Sequence, residues 1–259
     1  MAKELSVIVP CFNNFKLTMR CLAHLFKSSY SKEKMQVIIV DNASTDGTET
    51  LINYLQKAGE DILYLKQKTN INFCKSINLG MQNASGQYIM LLNNDAYVLK
   101  DCISKQLMGF YKFKGVGIVG AMEYLRTGGR SKDKPFIYFH PETLLDPILK
   151  DYKDLGYDKE PEYVNVDIVG SACCIIDKNL IDKIGMFDER FTPCMYEQED
   201  YFLRTKRSGF KILLATKAPF THYVGATTAF NTAYYQQVIK DNKTKFLKKW
   251  NDLIVRKDT

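Results

Sequence analysis

This sequence predicts an α/β fold with a mostly parallel, doubly wound sheet, and three observations lead there. Short runs rich in Val, Ile and Leu alternate with segments of helical spacing through the first half of the chain. The runs are apolar without interruption, as strands are when helices cover both faces of a sheet. Three of the runs end in turns rich in Asn, Asp and Ser, which suits a sheet whose carboxyl rim opens onto a ligand.

In chain order, Leu5–Pro10 reads as the first strand. Lys16–Phe26 follows as a helix, with Leu17, Cys21, Leu22 and Leu25 on one face. Met35–Val40 is a second buried strand and Thr48–Ala58 a second helix. Ile62–Leu65 makes a short third strand. Phe73–Asn83 is a third helix carrying Ile77 and Met81 on one face, and Tyr88–Leu92 is the fourth strand. Strands alternating with helices in this way give a sheet covered on both sides. Near Gly115 the rhythm changes. Val116–Ala121 reads as a strand, and Arg126–Pro161 as a long excursion of the kind that often carries function. Val164–Ile176 gives one or two strands, Glu197–Ser208 a helix stopped by Gly209, and Lys211–Ala215 a further strand. Ala218–His222 is read as a strand ending on His222. Tyr234–Val255 is an amphipathic basic helix. Neither a repeat nor a linker is evident, so the chain reads as one domain.

Composition narrows the function classes. Thirty-six Lys and Arg stand against 29 Asp and Glu, a formal net charge of +7. That excess suits phosphate-bearing small molecules or an anionic membrane surface. It does not single out nucleic acid, since the stacking motifs of RNA-binding sheets are missing. Neither GxxxxGK[ST] nor a GxGxxG after the first strand occurs, which argues against P-loop enzymes and dehydrogenases. The seven cysteines are odd in number and contain no CxxC pair. A disulfide framework or zinc site is therefore not expected, and a reducing compartment is. Met1–Asn14 reads as a first strand and not a signal peptide, and no apolar run nears the roughly 20 residues of a membrane span. The expected location is the cytoplasm. Lys243–Lys257 offers a basic surface for peripheral contact with the inner face of the membrane, although solvated charge is the commoner meaning of such a run. A basic helical tail also suits a piece of a larger chain.

Three strand ends converge on one rim: Pro10–Asn14, Asp41–Gly47 and Asn93–Asp95. Asn, Asp, Ser and Gly are ordinary turn and cap residues, and Asp46 is read as a helix cap. Asp41 is placed to accept from a base or ribose hydroxyl. Asp95 is the metal candidate, because a hard divalent cation shared with phosphates needs few protein ligands. In the second half, Glu197-Gln198-Glu199-Asp200 stands at a helix start, where carboxylates are favoured. Asp200 and Arg204, at i,i+4, are spaced to pair. His222 ends its strand, and a lone His is more often structural than a ligand.

Taken in order, SVIVPCFNN at Ser6–Asn14, VDNASTDGT at Val40–Thr48, NINFCKSINLG at Asn70–Gly80, LLNND at Leu91–Asp95, GSACCI at Gly170–Ile175, FDERF at Phe187–Phe191, EQEDYFLRTKRSGF at Glu197–Phe210 and HYVG at His222–Gly225 form one pattern. Over about residues 4–225 it resembles the family 2 glycosyltransferases of GT-A fold. The resemblance implies an inverting hexosyl- or N-acetylhexosaminyltransferase that takes a nucleoside-diphosphate sugar and uses manganese or magnesium. The acceptor would be a glycan, a lipid-linked glycan or a protein. Residues 1–100 would form the nucleotide-binding half, 101–230 the acceptor-side half and 231–259 the basic C-terminal helix. Pro10 and Asn13 would border the nucleotide and Asp41 would bond the base. Asn72, Lys75 and Asn78 would lie near the ribose and diphosphate, and Gly170 and Ser171 near the donor sugar. Asn93-Asn94-Asp95 stands where the family carries its Asp-x-Asp motif. Asp95 would hold the metal, with Asn93 a neutral substitute, Asn94 on the donor side and His222 completing the shell. The family's general base falls on Gln198, whose amide cannot take a proton. A neighbouring carboxylate is expected to replace it, ranked Glu199, then Asp200, then Glu197. The alternatives are a sugar-nucleotide-binding module without catalysis and a nucleotidyltransferase.

Overall fold

The structure is a computed structural model that describes residues 3–125, 161–223 and 232–251. Residues 126–160 of the expected excursion at Arg126–Pro161, and the end of the basic tail beyond residue 251, lie outside the described residues. The first half follows the expected rhythm. β1 (Leu5–Cys11), β2 (Met35–Asp41), β3 (Ile62–Lys66) and β4 (Tyr88–Leu92) alternate with α1 (Phe15–Phe26), α2 (Thr48–Lys57) and α3 (Asn72–Gln82). Four short elements come next: β5 (Ala96–Val98), α4 (Cys102–Lys112), β6 (Val116–Leu125) and β7 (Tyr163–Val166). The rest are β8 (Cys173–Asp177), α5 (Lys178–Ile184), α6 (Glu197–Arg207), β9 (Lys211–His222) and α7 (Ala233–Lys249).

The strands form one sheet in the order β3-β2-β1-β4-β8-β6-β9-β5, with β7 on β9. β1, β2, β3 and β4 are mutually parallel. Beyond β4 the sheet is mixed: β8 runs antiparallel to β4 and β6, while β6 and β9 are parallel. An apolar run buried on both faces has the same composition in either direction, so the sequence pattern does not reveal this change.

Period-two alternation divides the core. Val7, Val9, Val37, Ile39, Met90 and Leu92 face one cluster, covered by α1, α2 and α4. Ile8, Ile38, Val40, Ile89 and Leu91 face the other, covered by α3, α5 and α6. Each fully buried side chain of this kind stabilises the fold by about 1.5–3 kcal/mol, and the two-sided packing fixes the strand register. A third, smaller cluster of Phe191, Tyr196, Phe246 and Trp250 fastens α7 beside the start of α6.

Two adjustments position the functional rim. The expected strands at Lys211–Ala215 and Ala218–His222 are one strand, β9. Its register on β6 shifts between Ala121↔Ala215 and Met122↔Pro219, a bulge that bends the strand. Beyond the bulge, Phe220–His222 also pairs with β5, so Ala96 lies opposite His222. The second adjustment is the close seating of α3 on β1. A Cβ built on Gly80 would lie 2.4 Å from Ile8 Cγ2. Gly80→Ala should therefore destabilise the protein by about 1–3 kcal/mol through overpacking. Urea unfolding checks this, and an unchanged midpoint would show that α3 and β1 have slack between them.

Candidate active site

A cleft opens beyond the carboxyl ends of β1 and β4, where the chain winds outward in opposite directions from adjacent strands. That is where open α/β sheets hold ligands. Pro10, Cys11, Phe12 and Asn42 line its base, and Asn70, Asn72 and Phe73 come from the start of α3. Asn93, Asn94 and Asp95 form the β4 edge. Gly170, Ser171 and Ala172 face them from the segment before β8, and Pro193–Met195, Glu197 and Gln198 close the far wall. Glu123, His222 and Tyr235 complete the lining.

Strand pairing creates the charged end of the cleft. Asp95 immediately precedes β5, and Tyr223 N donates to its carbonyl at 3.0 Å. Asp95 Oδ1 and His222 Nε2 are thereby 3.1 Å apart. On the other edge of the ring, Nδ1 lies 3.3 Å from Glu123 Oε1. Burial alone would lower the imidazole pKa, but Asp95 and then Glu123 more than offset it and hold it at about 9. Among the described residues no group of three or more His, Cys, Asp and Glu is arranged to hold a metal ion. A pair is still enough for a cation that keeps water and phosphate ligands. The 3.1 Å between Asp95 Oδ1 and His222 Nε2 fits adjacent positions of an octahedral shell, about 3 Å apart for bonds near 2.1 Å. Asn93 is half-buried beside them. Asn94 donates to Thr18 Oγ1 at 3.1 Å, so it braces the turn against α1.

The opposite wall is the first turn of α6. Met195 and Tyr196 both take positive φ, 77° and 69°, a costly conformation for residues with side chains. Asn242 of α7 offsets that cost, donating to the carbonyls of Cys194 at 2.8 Å and Met195 at 3.3 Å. The turn delivers Glu197 to the cleft with 2% of its surface exposed. Burial, with the charge of Glu199, pushes the Glu197 carboxyl up to about 8. Its Oε2 has no hydrogen-bond partner among the described residues. Gln198 Oε1 accepts from Ser171 N at 3.1 Å, tying the two walls together.

The sequence profile of glycosyl transferase family 2 matches residues 6–185. This chain belongs to that family. A dolichyl-phosphate-linked glucuronosyltransferase of Methanococcus voltae is 25% identical over 217 residues, 80% of this chain and 63% of that protein. The chain thus spans under two thirds of that relative. Among solved structures, a mannosyltransferase from Pyrobaculum calidifontis in complex with GDP-Man and Mn2+ superposes with a TM-score of 0.66 at 16% identity, covering 88% of this chain and 59% of that one. Staphylococcus aureus TarS 1-349 in complex with UDP-GlcNAc gives 0.65 at 16% identity, covering 94% and 66%. These likenesses establish the GT-A fold.

Within this family 2 chain, the expected residues divide into two groups. The cleft collects Pro10, Asn72, Asn93, Asn94, Asp95, Gly170, Ser171 and His222. It does not collect Asn13, Asp41, Lys75, Asn78, Glu199 or Asp200 as lining. Asp41 is wholly buried. It accepts from Ser44 N at 2.9 Å and Tyr64 Oη at 2.5 Å, and so braces the turn below the rim. Asn13 accepts from Thr45 N at 2.9 Å and joins the same two turns. Asp46 serves helix N-termini as expected, accepting from Thr48 N and from Phe15 N. The Asn78 amide is used up on Phe187 N and Phe187 O, which fastens α3 to the FDERF loop. Lys75 is exposed, away from the cleft.

Asp200 requires the plainest correction. It has no exposed surface. Arg204 Nε lies 2.9 Å from Oδ2, and Trp250 Nε1 and Lys249 Nζ lie 3.0 and 2.6 Å from Oδ1. It is placed as a structural anchor. Glu199 is half-buried and outside the lining, because one step along a helix turns a side chain by about 100°. Of the three carboxylates ranked from the sequence, Glu197, placed last, is the one that lines the cleft. Sequence reasoning missed Glu123 altogether; a charge inside the otherwise apolar run of β6 was the available signal. Asp200→Ala should cost about 3 kcal/mol, since it leaves the half-buried Arg204 and Lys249 and the Trp250 N–H without their shared partner. Urea unfolding is the measurement, and a loss below about 1 kcal/mol would mean that water replaces the carboxylate.

Proposed function

We propose that this chain transfers a sugar from a nucleoside-diphosphate sugar to an acceptor hydroxyl of a glycan, a lipid-linked glycan or a protein, with inversion at the anomeric carbon. The observation that carries this reading is the pairing of walls. Asp95 and His222 stand at one side of the cleft, and a buried Glu197 whose Oε2 has no hydrogen-bond partner among the described residues stands at the other. Relatives that bind GDP-Man with Mn2+ or UDP-GlcNAc support the donor class and the metal.

Asp95 and His222 are the residues that would hold manganese or magnesium, with Asn93 as a neutral neighbour. When bound, such an ion supplies Lewis-acid neutralisation of charge on the departing diphosphate. The chain's own groups do the rest. Pro10, Asn42 and Asn72 border the nucleotide. Gly170 has no atom within 4 Å of where a Cβ would stand, leaving room for a sugar beside the Ser171 backbone. Glu197 takes the acceptor's proton as its oxygen attacks from the face opposite the leaving group. Gln198, at the family's base position, acts as a strut through Ser171.

In this reading residues 1–100 supply the donor half, 101–230 the acceptor half and 231–259 the brace. No helix among the described residues is long and apolar enough to cross a membrane. We place the protein in the cytoplasm, with the basic face of α7 toward the inner membrane surface. A second reading, a sugar-nucleotide-binding module without catalysis, is favoured by the amide at Gln198.

Donor turnover separates the two readings. UDP-sugars and GDP-mannose with Mn2+ should raise the melting temperature, ligand at 100 times its Kd adding about 2.7 kcal/mol. Wild-type protein should also release free sugar slowly, water replacing the acceptor. Binding without any turnover would establish the module. Asp95→Ala should lose turnover even with excess Mn2+.

For the base, Glu197→Gln should lower turnover by about 10²–10⁴ with donor affinity kept. Because Glu197 must be ionised and its pKa is lifted to about 8, the wild-type rate should climb with pH up to about 8 and level off above it. The residual rate of Glu197→Gln should lack that limb. A wild-type acid limb near pH 4–5, with Glu197→Gln fully active, would remove Glu197 from the mechanism.

A further inference from the structure

β6 carries one charged residue, Glu123, in the run VGIVGAMEYL. It is 6% exposed. A carboxylate is not buried in a strand without a partner, since the loss of hydration must be offset by an opposite charge or a donor. The partner here is His222. His222 lies two positions along β9 from Phe220, which stands opposite Glu123. Nδ1 lies 3.3 Å from Oε1, an ion-pair contact, and Oε1 has no hydrogen-bond partner among the described residues. Asp95 meets the other nitrogen, Nε2, at 3.1 Å. Two carboxylates therefore grip opposite nitrogens of one ring, and Asp95 takes the one on the metal side.

We propose that Glu123 is a positioning residue for the divalent cation. Its Oε1 is poised to take the Nδ1 proton of His222 and fix the ring plane, so that Nε2 faces the cation beside Asp95 once the cation has displaced the Nε2 proton. This rests on the metal reading given above and adds to it a residue that touches neither metal nor substrate. A carboxylate on the far nitrogen raises the basicity of an imidazole ligand, and its loss typically weakens metal binding 10–100-fold. The fold supplies the arrangement through the β9 bulge, which sets His222 against both β5 and β6.

The test uses Mn2+ titrated into the full chain with UDP present, followed by calorimetry or by electron paramagnetic resonance of free Mn2+. Glu123→Gln should weaken Mn2+ binding by about 10–100-fold, and Glu123→Ala by at least as much. Thermal melts report that each variant is folded, and the isosteric Gln variant carries the test if the Ala variant is not. In a His222→Ala background Glu123→Gln should cost nothing further, because the residue acts through the ring. With Mg2+ in place of Mn2+, nitrogen NMR should show the proton of His222 on Nδ1 in the wild type and a mixture of tautomers in Glu123→Ala. Wild-type Mn2+ affinity in Glu123→Gln overturns the proposal, as does an equal loss in the His222→Ala background. Failure of the wild type itself to bind Mn2+ overturns the metal reading and this proposal with it.

Discussion

A carboxylate shut away from water has to be neutralised where it stands, and Asp200 meets that requirement with groups drawn from two helices. Arg204 comes from its own helix, and Lys249 and Trp250 close over it from the end of α7. Arg204 spends its remaining nitrogens on the carbonyls of Ile184 and Met186, so the loop after α5 is held as well. Lys249 also reaches Asp188 at 2.7 Å. Through this one carboxylate, three parts of the chain acquire a common reference point. The first turn of α6 sits on that point, and with it the wall that presents Glu197 and Gln198.

The facing wall depends on a different kind of constraint. Asp95 and His222 are 127 positions apart and meet because a three-residue strand, β5, pairs with the last turn of a bent β9. Backbone hydrogen bonds set the distance and the buried side chains only occupy it. A rim of parallel strands, whose turns brace one another through Asn13, Asp41 and Asp46, thus faces a wall made by antiparallel pairing and helix packing. The β1–β4 rim is rigid by sheet geometry, and the α6 wall is rigid by buried charge.

Much of this was readable before any coordinates. Apolar runs alternating with helical spacing located β1 to β4 and α1 to α3 within a residue or two. The polar strand ends located the rim, and Asp95 and His222 were read as partners through the family resemblance. What escaped notice did so for physical reasons. Asp41 and Asn78 look like ligands because Asp and Asn are the chemistry of binding sites. They are equally the chemistry of bracing turns, and only their burial and partners tell the two apart. Glu197, Glu199 and Asp200 are adjacent in the chain, yet a helix points them in three directions, toward cleft, flank and core. Glu123 was hidden because an apolar strand invites the eye to read past one charge. β5 was too short for any periodicity to register.

The separation between Asp200 and Trp250 also bears on how the chain is made. The parallel half, β1 to β4, lies wholly within the first 92 residues, so it can fold as soon as those segments have left the ribosome. The α6 wall cannot, because its anchor lies 50 residues further on. Until Asn242, Lys249 and Trp250 emerge, Asp200 faces solvent and the strained Met195–Tyr196 turn lacks its brace. Vectorial synthesis releases domains from the N-terminal end first. The β1–β4 rim is therefore assembled while the α6 wall is still open, and the two walls of the cleft come together only as the last helix docks.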